Sequence, residues 1–151
     1  MVSKKIKYIY TIGISVFLTY AYFLISNYGK ISDTVATHID YSGNPDGYGE
    51  KYNLIITLLV NAILLVVLAF IIKNPKYANY PIEITDENRN SVYEKMRYFM
   101  AILFIVVPII FSIMTYKAIG YETKKVLLLT ISLCVPPLIL ILLFKSKKSV
   151  A

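Results

Sequence analysis

The sequence predicts an all-α integral membrane protein: a four-helix transmembrane bundle with both termini cytoplasmic and a short, extended and turn-rich outer loop. Three observations predict it. The 151 residues are 57% hydrophobic and only 17% charged, with a mean hydropathy of +0.61, whereas a water-soluble domain carries about a quarter charged residues. The charges are also segregated: residues 8–29, 52–72, 98–116 and 126–144 contain no Asp, Glu, Lys or Arg. Each such run is long enough to cross a hydrocarbon core of about 30 Å at about 1.5 Å per helical residue. Finally, the 16 basic residues divide unevenly between the two sides that these runs define. Eleven fall before span 1, between spans 2 and 3, and after span 4; five fall in the other two connections. Basic residues accumulate on the cytoplasmic side, which sets the orientation. The chain is read as one membrane domain, residues 1–151, with spans at about 8–28, 53–72, 98–116 and 126–144, in a multi-pass cell-membrane protein.

Span 1 follows Lys4, Lys5 and Lys7 and has no small-residue cleavage site after it, so it reads as a retained signal anchor rather than a removable leader. Thr11, Ser15 and Thr19 recur at every fourth position and form an intramembrane polar stripe. Small hydroxylated residues at that spacing allow close helix approach and predict a packing seam; a substrate path is the sharper reading. Span 2 carries one strongly polar side chain, Asn61. An unpaired amide in hydrocarbon is costly, so Asn61 is expected to face the bundle and bond to a neighbour such as the span 1 stripe. Pro108 in span 3 and Pro136-Pro137 in span 4 each remove an intrahelical hydrogen bond and predict bends at similar depth. Cys134, the one cysteine, lies within span 4 and reads as a packing residue.

The inner loop, 73–97, opens on a turn-prone Lys73-Asn74-Pro75-Lys76. Thr85-Asp86-Glu87 supplies a cap and an acidic first turn, so a helix is expected from about Asp86 through Tyr116, with about three turns projecting beyond the bilayer as a solvated extension or a docking surface.

The outer loop, 29–51, is the exception in a protein of net charge +7: its four carboxylates and two lysines give it a charge of −2, and it holds the one histidine. Val35-Ala36-Thr37-His38-Ile39-Asp40 alternates apolar and polar residues, which predicts an extended segment. Gly43-Asn44-Pro45-Asp46-Gly47 predicts a turn that folds the loop back towards span 2. Such a turn can bring Asp46 or Glu50 close to His38 and Asp40, a donor set suited to a divalent cation or to acid-base work. An H-x-D spacing alone defines neither, and no nucleophile or oxyanion-hole pattern accompanies it. No metal, cofactor or enzymatic activity is therefore expected.

The run Thr37-His38-Ile39-Asp40-x-x-Gly43-x-x-Asp46-Gly47-Tyr48-x-x-Lys51, placed between the first two spans, resembles the module of unknown biochemical function in the SdpI-like bacterial membrane proteins. Asp40 stands where Asn is more usual, and Ile39 where an aromatic is frequent. Carried across residue by residue, the resemblance implies a ligand-binding set of Thr37, His38, Asp40, Gly43, Asp46, Gly47, Tyr48 and Lys51. It also implies a bacterial protein whose best-known relative confers immunity to a secreted antimicrobial peptide and holds a transcriptional repressor at the membrane. The expected function is accordingly binding and signalling: the outer loop senses or neutralises an extracellular peptide or envelope ligand without covalent chemistry. A small membrane transporter, or an accessory subunit of one, is the alternative. Expected partners are the lipid bilayer, an extracellular peptide, a cytoplasmic regulator at residues 73–97 and a second copy of the chain. Direct nucleic-acid binding is not expected, since the basic residues flank the spans.

Overall fold

A computed structural model describes residues 2–121. Three helices and one two-stranded hairpin make up this part: α1 (Lys4–Asn27), β1 (Thr34–Ile39), β2 (Pro45–Glu50), α2 (Tyr52–Lys73) and α3 (Arg89–Ala118). All three helices are long and apolar enough to cross a membrane. The expected fourth span, with Cys134 and Pro136-Pro137, lies outside the described residues.

Helix α1 begins four residues before the uncharged run, because the Ser3 hydroxyl accepts the Ile6 N–H at 3.4 Å and caps the first turn. Its buried residues, Ile6, Gly13, Tyr20 and Leu24, fall on one face at multiples of a helical turn. Thr11 and Ser15 sit two residues either side of Gly13, which is about 200° round the helix. The hydroxyl stripe therefore points away from this packed face. Thr11, Ser15 and Thr19 are all exposed, and each hydroxyl donates to the backbone carbonyl four residues earlier, at 2.9 to 3.0 Å. Among the described residues the stripe borders a cavity with Ser112 and Tyr116 of α3, and its hydroxyls bond within their own helix rather than across a contact.

Helix α3 packs against both α1 and α2. Two apolar clusters hold the three helices together: Ile6, Leu65, Ile72, Ala101 and Phe104 towards one end, and Tyr20, Leu24, Val35, Leu54 and Leu58 towards the hairpin. The α1–α3 contact is closest at Gly13, where a Cβ would lie 2.4 Å from the Phe104 carbonyl oxygen. That carbonyl is the one whose helical donor Pro108 cannot supply, since proline has no N–H to offer the residue four back. Helix α3 nevertheless runs through the buried Pro108 without interruption. Near the hairpin, the Tyr20 hydroxyl and the Thr115 hydroxyl share a buried hydrogen bond of 2.8 Å between α1 and α3.

On α2, Leu54, Leu58, Asn61, Leu65 and Ile72 are the buried positions. Asn61 faces inward as expected and is fully buried, yet its amide finds no hydrogen-bond partner among the described residues. The expected bond to the hydroxyl stripe is not made, because that stripe turns outward.

The α2–α3 connection is more ordered than a simple solvated loop. Thr85 and Asn88 cap the approach to α3 reciprocally: the Thr85 N–H donates to Asn88 Oδ1 at 2.9 Å, and the Asn88 N–H donates to the Thr85 hydroxyl at 3.4 Å. This turn starts where the sequence places the helix, although regular α-helix is reached three residues later than Asp86. Residues 92 and 96 of the extension are buried, Tyr80 lies against Tyr93 with ring centroids 5.8 Å apart, and Arg97 Nε donates to the Ile72 carbonyl at 3.1 Å. The chain therefore covers part of its own extension. The Tyr80 hydroxyl donates to the Pro75 carbonyl at 2.7 Å, and burial, with Tyr93 adding and Arg97 opposing, pushes its pKa up to about 12.

Candidate functional site

The loop between α1 and α2 is an antiparallel hairpin. Thr34 pairs with Glu50, Val35 with Gly49, Ala36 with Tyr48, His38 with Gly47 and Ile39 with Pro45. The register shifts between Ala36 and His38, a bulge that leaves Thr37 without a partner and breaks the simple alternation. Val35 and Ala36, in regular pairing before the bulge, are both buried, while Thr37 and His38 are both exposed.

The reversal comes earlier than the sequence suggests. Asp40 and Asn44 close the turn: the Asp40 N–H donates to the Asn44 carbonyl at 2.8 Å, the Asn44 N–H donates to Asp40 Oδ1 at 2.8 Å, and the Gly43 N–H donates to the Asp40 carbonyl at 2.9 Å. Gly43 has φ of +84°, a conformation glycine adopts without a Cβ penalty. The expected turn at 43–47 is thus displaced to 40–44, and Pro45, Asp46 and Gly47 belong to β2. Pro45 is tolerated there because it is the first residue of the strand. Glycines let β2 approach: a Cβ at Gly47 would lie 3.0 Å from His38 Cβ, and one at Gly49 would lie 2.9 Å from Thr37 Cγ2.

The fold brings His38 and Asp46 together. Imidazole Nδ1 and Asp46 Oδ1 are hydrogen-bonded, with both side chains well exposed. In the neutral imidazole this places the proton on Nδ1 and leaves Nε2 as an acceptor; in the protonated ring the contact is an ion pair. Among the described residues no three His, Cys, Asp or Glu side chains converge. Asp40 instead organises the turn.

Lys51 is set apart from this pair. Its Nζ lies 2.8 Å from Asp33 Oδ1, donates to the Ile31 carbonyl at 3.4 Å and stands 5.3 Å from the centre of the Tyr28 ring. The Lys51 N–H also donates to the Asp33 carbonyl at 2.9 Å. Lys51 therefore fastens the base of the hairpin. Its hydrogen bond, and then its charge, hold the Asp33 carboxyl below the usual carboxylate range.

Two cavities flank β1. One, of about 480 Å³, is bordered by Ala36 through Tyr41 and Gly43 of the hairpin, by the first turns of α2 and by the last turns of α3. It takes in Thr37, His38, Asp40 and Gly43 of the expected set. The other, of about 490 Å³, has Tyr48 on its lining along with residues after α3, so Tyr48 and Lys51 do not join the first group. Ala36 and Ala118 border both cavities, where β1 meets the end of α3. Sequence reasoning did not reach Asn53, Thr57, Met114 and Lys117, which border the first cavity. Nothing in their local pattern marks them; only the convergence of α2 and α3 beside the hairpin does.

A family model described as a domain of unknown function, DUF1648, matches residues 14–65. The match takes in most of α1, the hairpin and more than half of α2, so it includes every hairpin residue of the candidate site. No curated protein and no solved structure matches the chain.

Proposed function

We propose that the chain is a membrane-embedded binding and signalling protein of the SdpI-like kind. Its hairpin lies on the outer face and captures or neutralises an extracellular antimicrobial peptide or envelope ligand without covalent chemistry. The observation that carries this reading is the hydrogen-bonded His38–Asp46 pair on a hairpin beside a cavity of about 480 Å³, at the junction of two helices long enough to span a membrane. The pair offers charge and an acceptor nitrogen, the helix ends offer apolar surface, and neither requires a bond to be broken. The segment around residues 73–97, at the other end of α2 and α3, is the proposed contact for a cytoplasmic regulator.

Deleting the gene is expected to raise sensitivity to co-encoded or neighbouring peptide toxins; unchanged sensitivity refutes the immunity form. Restoring the gene as His38→Ala or Asp46→Ala is expected to recover protection poorly. Loss of a charge-assisted hydrogen bond of about 1.5 kcal/mol or more corresponds to a shift of roughly tenfold in the inhibitory concentration.

One observation favours transport as the second reading. The Asn61 amide is fully buried in the most apolar helix and unpartnered among the described residues. Flux by the purified protein in liposomes, abolished by Asn61→Leu, would favour transport over sensing.

A further inference from the structure

We propose that the cavity of about 480 Å³ beside β1 holds the headgroup of a zwitterionic phospholipid with a primary ammonium group, as in phosphatidylethanolamine. This rests on the reading that an envelope ligand meets the hairpin, and names its class.

The charges on the lining carry the inference. Three side chains that can bear a charge border the cavity: His38, Asp40 and Lys117. His38 is taken up by Asp46. Asp40, at the start of the hairpin turn, and Lys117, in the last turn of α3, are opposite in sign and half-buried. Among the described residues, neither of them belongs to an ion pair. Two opposite charges that border one cavity without meeting suit a molecule that carries both signs. A phosphate complements Lys117, and a primary ammonium, with its three N–H donors, complements the Asp40 carboxylate. Asp40 Oδ1 already accepts the Asn44 N–H at 2.8 Å, but a carboxylate offers about four acceptor sites, so the turn and the ligand can share it.

The position and the apolar wall make this zwitterion a lipid. The cavity lies where the first turns of α2 meet the last turns of α3, two helices long enough to span a membrane, and such helix ends lie at the depth of the headgroups. Leu54, Ile56 and Met114 form its apolar side, and of these Ile56 and Met114 are exposed. Along α2, Ile56 is followed by Val60, Ile63 and Val67, all exposed and spaced by one helical turn, so they share a face. That row leads from the cavity into the span, and an acyl chain can lie along it while the headgroup stays between Asp40 and Lys117.

The test is native mass spectrometry of the full chain in detergent, titrated with phosphatidylethanolamine, phosphatidylcholine and phosphatidylglycerol of identical acyl chains. All three carry the phosphate. The choline nitrogen is fully methylated and cannot donate, and the glycerol headgroup has no cation. One molecule of phosphatidylethanolamine is expected to bind roughly tenfold more tightly than either of the others, the difference that a charge-assisted hydrogen bond makes. Asp40→Asn keeps the oxygen that accepts from Asn44 and is expected to abolish this preference. Lys117→Gln is expected to weaken all three lipids together. Glycerophosphoethanolamine, the same headgroup without acyl chains, is expected to bind at least tenfold more weakly than the lipid. Equal binding of the three lipids overturns the proposal, as does a preference that survives Asp40→Asn or an affinity unchanged by Lys117→Gln. Glycerophosphoethanolamine binding as tightly as the lipid overturns it in favour of a soluble zwitterion. Should a variant lose its helical circular dichroism, the comparison of lipids on the unaltered chain decides. If the lipid preference is absent but gene deletion still sensitises cells to peptide toxins, the lipid is removed and the outer-ligand reading stands; unchanged toxin sensitivity removes both.

Discussion

Two polar pairs divide the work of the hairpin: His38–Asp46 faces the solvent beside the cavity, and Asp33–Lys51 ties the base. The second has a definite pH signature. Because Lys51 favours the charged carboxylate, the folded-state pKa of Asp33 lies below its ordinary value of 3.8. The stabilisation is therefore complete above that ordinary value and is lost as pH falls through the lowered one. The amide chemical shift of Lys51 is expected to titrate in that acidic window, and Asp33→Asn is expected to flatten it. Sequence reading found the His38–Asp46 candidates through composition and resemblance, and it placed Lys51 in the same set. It missed Asp33 because the pairing depends on the strand register, which brings residues 33 and 51 together only after the turn has formed. The turn itself was misplaced for a local reason: Pro45-Asp46-Gly47 carries turn chemistry, but the Asp40 carboxylate captures the Asn44 N–H first and reverses the chain upstream.

Among the elements, the contact of α1 with α3 has the narrowest tolerance. Gly13 lies against the Phe104 carbonyl, which Pro108 leaves without its helical donor, so the missing Cβ of one helix faces the missing hydrogen bond of the other. Gly13→Ala forces a backbone to move and is expected to cost about 1–3 kcal/mol. Gly29→Ala, with nothing within 4 Å of its new methyl group, is the control and is expected to stay within about 0.5 kcal/mol of the parent. Thermal unfolding in detergent compares them. At the other end, the Tyr80 hydroxyl is neutral in the fold up to about pH 12. Since the ordinary tyrosine value is 10.0, its contribution is full below that value and is lost as pH rises through 12. Tyr80→Phe removes the bond to Pro75 and is expected to cost about 0.5–1.5 kcal/mol, read from the same unfolding curves. The three spans among the described residues were legible, because long uncharged runs leave few alternatives. Which face of α1 meets α3 was not: the every-fourth hydroxyls resemble a contact stripe, yet they bond to their own backbone, and among the described residues the packed face is defined by Gly13, Tyr20 and Leu24.

At the scale of the whole molecule, the proposed orientation has a direct check. In a Cys134→Ser background, Tyr41→Cys on the hairpin turn is expected to react with a membrane-impermeant maleimide in intact cells, while Glu87→Cys before α3 is expected to react only after permeabilisation. The reverse pattern would invert the protein and remove the outer-ligand reading. By itself the sequence determined the three apolar helices and the distinct character of residues 29–51, because hydrophobicity and charge are local properties that the bilayer length and the cost of burying charge turn into structure. Only the tertiary structure decided that these residues form a hairpin, that His38 meets Asp46 while Lys51 is drawn to Asp33, and that the ends of α2 and α3 complete a cavity beside β1. Those features depend on strand register and on the meeting of segments far apart in the chain, and a sequence of residue types does not specify distances between them.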